Sequence, residues 1–201
     1  SHRIIDITRA DVVGLHQSMK HIPYQANRTL GVLSVMFTVA HTWGVRTDGV
    51  NPCWKVKRYR EEKRERYLTP DELARLGKVL NEAKDEPEAA SCIRLLLLTG
   101  CRLSEIQTLK WRYVDDRNGL LRLPDSKTGA KLVPIGKAAI EVLKAIPKID
   151  GNPYVITGRK EGQHLTDMQK PWRRLRKRAG LDDLRIHDLR HSFASDALQL
   201  G

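Results

Sequence analysis

Apolar residues recur along much of this chain at the three- and four-residue spacing of helices that bury one face. From Thr8 to Lys20, Val12, Leu15 and Met19 fall on one stripe and predict a short helix. A second helix is predicted from Pro23 to about Gly44, with Leu30, Leu33, Phe37 and Gly44 in line and Val32, Met36, Val39 and Trp43 widening the face. Two helices with faces this broad cannot bury both against each other, so this part reads as the remnant of a small helical bundle whose earlier helices are missing. The period stops between Thr47 and Tyr67, where Gly49, Asn51 and Pro52 mark a turn.

It resumes at Thr69-Pro70-Asp71-Glu72. Thr69 suits a helix N-cap, Pro70 the first helical position, and Glu72 completes a capping box. Leu73, Leu76 and Leu80 follow at helical spacing. The stretch from Ala89 to Leu98 is apolar almost all round, which predicts a central buried helix. Leu120 to Pro124 and Lys131 to Ile135 read as two short strands joined by Asp125-Ser126-Lys127-Thr128-Gly129. A helix from about Gly136 to Ile146 would turn Ala139, Val142, Leu143 and Ile146 inward. Another, from Thr166 to Ala179, would bury Met168, Trp172, Leu175 and Ala179 before a Gly180 cap and hold Arg173, Arg174, Arg176, Lys177 and Arg178 on its other face. The last helix runs from His187 to Leu200. The predicted class is mainly α with a small antiparallel β-sheet.

Composition adds a partner. The 201 residues are enough for one large or two small domains. Lys and Arg number 36 against 24 Asp and Glu, a formal charge of +12 that attracts polyanions at long range. Double-stranded DNA is the first candidate and an anionic membrane the second. No 18-residue apolar run exists, and the densest, Ile93 to Leu98, is interrupted by Arg94. No signal peptide opens the chain, so a cytoplasmic, DNA-associated protein is expected. Cys53, Cys92 and Cys101 match no zinc spacing and read as buried thiols. Between Lys55 and Arg66 stand seven basic and three acidic residues. Lys55, Lys57, Arg58 and Arg60 are either a solvated linker or a strap across a DNA backbone, and Arg173, Arg174 and Lys177 are further DNA-binding candidates.

Three segments carry residues suited to chemistry. In Thr99-Gly100-Cys101-Arg102-Leu103-Ser104-Glu105-Ile106, an arginine sits on a turn between two helices, held firmly enough for a phosphate clamp. Lys127, at the hairpin tip, is a cation able to donate a proton to a leaving oxygen. In Arg185-Ile186-His187-Asp188-Leu189-Arg190-His191-Ser192-Phe193-Ala194-Ser195, His187, Arg190 and His191 approach one helix face. The His187/His191 spacing could hold zinc, but the intervening glutamate of a zinc hydrolase is absent and Arg190 would repel a dication. His and Arg together suit the anionic, five-coordinate phosphorus of phosphoryl transfer.

In this order the three segments resemble the signatures of the tyrosine recombinases, the phage integrase family, over nearly the whole chain. The resemblance implies a partial helical core-binding domain over 1–57, a basic linker over 58–67 and an α+β catalytic domain over 68–201. It implies that Arg102 and Arg190 stabilise the transition state, that Lys127 protonates the departing 5′ oxygen, and that His187 assists proton transfer. Glu105 and His191 would support them, Glu105 by orienting Arg102. The activity implied is site-specific recombination or integration through a 3′-phosphotyrosine link, without metal or nucleotide cofactor. The full-length bacterial or phage-encoded protein would act as a homotetramer on paired DNA sites, with this chain a monomer.

The chain departs from the family pattern in one respect. Its tyrosines, Tyr24, Tyr59, Tyr67, Tyr113 and Tyr154, all precede His187, and the family's nucleophile follows that segment. The expectation is a chain truncated before the nucleophile, which binds DNA and does not cleave it. The alternative is a non-catalytic DNA-binding relic or regulator with the same fold. A metal-dependent nuclease would need clustered carboxylates, and the acidic residues here are scattered. A type IB topoisomerase would share the chemistry, but the core-binding lobe and the spacing favour an integrase.

Overall fold

Thr8 opens the first helix, α1 (Arg9–Ser18): its hydroxyl accepts the Asp11 N–H, and the Asp11 carboxylate accepts the Thr8 N–H at 2.8 Å. The computed structural model describes residues 3–47, 49–62, 64–124 and 129–199, which fall into two compact units, Ser1–Arg64 and Glu65–Gly201.

In the first unit, α1 packs on α2 (Pro23–Thr42) around Val12, Leu30, Phe37 and Cys53. The buried face of α1 differs from the expected stripe. Val12 is inward, but its buried neighbour is His16 rather than Leu15, which is 44% exposed. His16 is accepted inside because it is partnered: its ring lies flat on Tyr59, centroids 4.3 Å apart, and Nε2 meets Asn27 Oδ1 at 3.3 Å. On α2, Ala26, Leu30, Phe37 and Ala40 are buried, while Val32 and, just past the helix end, Trp43 of the predicted widening are 61% and 76% exposed. Nothing described in this unit covers that second face. Asn27 also pairs with the Tyr59 backbone in both directions at 2.9 Å, so the chain around Tyr59 runs along the helices and leaves Arg58 and Arg60 exposed.

The second unit contains α3 (Pro70–Glu82), α4 (Pro87–Thr99), α5 (Leu103–Gln107), a 3₁₀ turn at Trp111–Tyr113, β1 (Val114–Asp115), β2 (Leu120–Leu123), β3 (Lys131–Pro134), α6 (Lys137–Ala145), α7 (Gln169–Arg178) and α8 (Ile186–Gln199). As a stretch apolar almost all round predicts, α4 is central, with Cys92, Ile93, Leu95 and Leu96 buried and α3, α5, α6 and α8 around it. The sheet is antiparallel in the order β1-β2-β3, with Leu121 opposite Val133 and Leu123 opposite Lys131. β1 is two residues long, too short to show a period in sequence. The hairpin tip, residues 125–128 with Lys127, lies outside the described residues.

The stripe of Met168, Trp172, Leu175 and Ala179 is buried as predicted. One arginine of α7 departs from the expected outer face. Arg176, four positions after Trp172, borders that stripe and turns inward to donate to the Leu184 carbonyl at 2.8 Å. Arg174 pairs with Glu86 and Arg178 with Asp85.

The Thr69 capping box forms, and a second partner strengthens it. Arg66 donates to Glu72 and to Asp183, tying the start of this unit to the segment before α8. The Arg66 guanidinium, with help from Thr69, holds the Glu72 carboxyl down at about 2. A carboxyl with a lowered folded pKa stabilises the fold above its unfolded value of 4.5, and that contribution disappears as pH falls toward 2. Urea unfolding between pH 6 and 2 should show about 1–3 kcal/mol of acid-dependent loss that Arg66→Met removes; parallel profiles for the two proteins would contradict it.

Candidate active site

The buried helix α4 must end abruptly for α5 to begin, and Gly100 ends it in the left-handed conformation, φ +59°. The ring of Phe193, on α8, lies 2.3 Å from where a Cβ at position 100 would stand. Gly100→Ala would meet both the backbone penalty and the ring. It should destabilise the protein by about 2–4 kcal/mol, read as a lowered urea midpoint at unchanged m-value. The carbonyl of Gly100 also accepts a hydrogen bond from the Arg190 guanidinium. The start of one signature segment is thereby fastened to the other.

Arg102 is the N-cap residue of α5. The Glu105 carboxylate accepts its backbone N–H at 2.7 Å, its Nη1 at 3.0 Å, and Lys131 Nζ from β3 at 2.8 Å. Burial of the Glu105 side chain, 4% exposed, pushes its carboxyl up, but the hydrogen bonds from Lys131 and Arg102 outweigh this and leave it below the ordinary carboxylate value. The glutamate therefore stays ionised and fixes the guanidinium, whose own side chain is 30% exposed.

α8 is set by Asp188, buried, which accepts the Arg185 N–H at 2.9 Å, and by Ser192, whose Oγ accepts the Leu68 N–H at 2.9 Å. This orientation leaves His187 exposed, its ring edge-on to His191 with centroids 5.1 Å apart. His191 in turn stands edge-on to Tyr67.

The outcome is a cavity of about 540 Å³ lined by Arg102, Arg176, Arg185, His187 and Arg190 over a floor that includes Leu96 and Trp172. Among the described residues, no Asp or Glu lines it. Arg102 and Arg190, 88 positions apart (190 − 102), share it. His191 and Glu105 stand behind lining residues rather than in the wall. Lys55, Lys57, Arg58 and Arg60 are exposed in the first unit, and Arg173, Arg174 and Lys177 on the outer face of α7. Among the described residues, no three His, Cys, Asp or Glu side chains gather to hold a metal ion, and no helix is long and apolar enough to cross a membrane.

Residues 66–201 match the family model described as the phage integrase family. The chain belongs to that family. Its relatives among the tyrosine recombinases include the shufflon-specific DNA recombinase of Escherichia coli, 31% identical over 176 residues, covering 86% of this chain and 43% of the relative. The chain spans less than half the length of the first curated relatives it matches. The fold is shared with the Tn1549 transposon integrase solved with circular intermediate DNA, at TM-score 0.73 and 19% identity over 100% of this chain and 76% of that one. It is also shared with a lambda integrase tetramer bound to a Holliday junction, at TM-score 0.74 and 21% identity over 95% and 60%.

Three cations escaped the sequence reading of this family member. Arg176 was hidden by a basic face, although its i+4 relation to Trp172 was a signal. Arg185 lies just before α8 and carried no spacing signal. Lys131 reads as an ordinary strand lysine until the fold brings Glu105 to it.

Proposed function

We propose that the second unit holds a DNA phosphodiester in the Arg102–His187–Arg190 cavity, as part of a site-specific recombinase that breaks and rejoins strands through a 3′-phosphotyrosine link. The observation that carries this is the arginine cavity, with no Asp or Glu among the described residues that line it, in which two distant segments place Arg102 and Arg190 together. Guanidiniums fixed by Glu105 and by the Gly100 carbonyl are pre-organised donors for charge that grows on phosphate oxygens. In this reading Lys127 protonates the leaving 5′ oxygen, and His187 takes part in proton transfer at the phosphate. Exposed Lys55, Lys57, Arg58, Arg60, Arg173, Arg174 and Lys177 attract the DNA backbone. The positive charge comes from side chains, so no metal or nucleotide is required. The full-length protein works as a homotetramer on paired sites, and the 201-residue chain is a monomer.

The chain itself supplies the phosphate-binding half of this chemistry. Its five tyrosines precede His187, so incubation with nicked suicide DNA should give binding and no covalent protein–DNA adduct in denaturing gels. A phosphotyrosine adduct formed by this chain would refute the assignment of roles. The second reading is a DNA-binding regulator with the same fold, which the same cation-lined cavity would serve. A coding sequence that continues past Gly201 to a His or Trp and then a Tyr supports the recombinase, and one without them supports the regulator.

A further inference from the structure

We propose that Lys131 is a positioning residue of the arginine cavity: by sharing the charge of Glu105, it leaves Arg102 an effective cation toward a bound phosphate. The inference rests on the phosphodiester reading above and names a residue that reading does not use.

The problem it addresses is electrostatic. Arg102 reaches the cavity, yet its Nη1 is committed to Glu105 at 3.0 Å. A guanidinium and a carboxylate in contact form a nearly neutral unit, and a neutral unit attracts an anion weakly. Lys131 changes the balance. Its Nζ takes the other oxygen of the same carboxylate at 2.8 Å, so the trio carries one net positive charge (two cations, one anion). Glu105 has little contact with water to do this screening itself, its side chain being 4% exposed.

Strand geometry dictates which residue does so. Lys131 opens β3 opposite Leu123, and along the strand Lys131 and Val133 are half-buried while Leu132 is 60% exposed. The period of two turns the lysine toward α5 and its neighbour toward solvent. Lys131 is not part of the cavity wall, so it acts through Glu105.

The test uses the 201-residue chain at fixed pH and ionic strength, with inorganic phosphate titrated and the His187 ring signals followed by NMR. Wild type should bind phosphate, and Arg190→Ala should lose the response. Lys131→Met should weaken phosphate about tenfold and Lys131→Arg should restore it to within about twofold. Lys131→Gln, which keeps a hydrogen-bond donor without the charge, should weaken it like Lys131→Met and serves if the latter fails to fold. Adding Glu105→Gln to either neutral variant should recover affinity, because the charge that needed sharing is gone. Unchanged affinity in both neutral variants makes Lys131 merely structural and overturns the inference while the phosphate reading stands. Weakened affinity that Glu105→Gln does not recover, while Glu105→Gln alone binds phosphate like wild type, overturns it too, since Lys131 would then act on phosphate directly. A wild-type protein whose His187 signals ignore phosphate overturns the cavity reading and the role of Lys131 together.

Discussion

Arg190→Ala and Arg102→Ala, each placed in a protein extended to carry the attacking tyrosine, are expected to lower strand cleavage about 10³- to 10⁵-fold while leaving most DNA affinity intact. The size follows from the role. An arginine that stabilises the charge of a phosphoryl-transfer transition state contributes about 4–7 kcal/mol to the barrier. Binding to duplex DNA, in the proposed reading, is distributed over many exposed cations, of which these two are a small part. The two variants should differ in a secondary respect. Loss of Arg190 also removes the hydrogen bond to the Gly100 carbonyl, and loss of Arg102 leaves Glu105 with fewer donors. Both should therefore lose some stability, which a urea titration separates from the catalytic loss. Gel-based cleavage and recombination assays beside filter binding would check the split. Equal losses in cleavage and binding would point to a general binding role and against transition-state stabilisation.

The second large effect concerns salt. If the exposed lysines and arginines neutralise on the order of six to ten phosphates, affinity for duplex DNA should fall about 10³- to 10⁵-fold between 50 and 200 mM salt. The formal charge of +12 supplies the field, but not every cation contributes. Arg178 is paired with Asp85, and Arg66 with Glu72 and Asp183. Substituting Arg58, Arg60 or Lys177 should reduce the slope of log affinity against log salt by about one each, whereas Arg178→Ala should change it less. A flat salt response would exclude phosphate neutralisation as the source of binding.

How much of this was readable from the chain differs by kind of feature. Local signals carried well: the Thr69-Pro70-Asp71-Glu72 cap, the mostly apolar α4, the hairpin strands and the buried stripe of α7 are each determined within a few residues by propensity and period. Burial that depends on a partner did not. Val32 and Trp43 look as inward as Leu30 in sequence, and only the position of α1 decides that Leu30 is covered and they are not. His16 is buried and Leu15 exposed because Tyr59 and Asn27, far along the chain, supply the histidine with a ring and a hydrogen bond. The candidate site shows the same division. Arg102, His187 and Arg190 stand out as residue types in short segments, but the fastening of Arg190 to Gly100 and of Lys131 to Glu105 spans 90 and 26 positions, and no local pattern encodes a contact at that distance.

The most direct test is a structure of this chain bound to duplex DNA. The guanidiniums of Arg102 and Arg190 should lie within about 2.7–3.2 Å of oxygens on one and the same phosphate, with the His187 ring beside it. DNA seated elsewhere, with both arginines facing solvent or holding different phosphates, would contradict it.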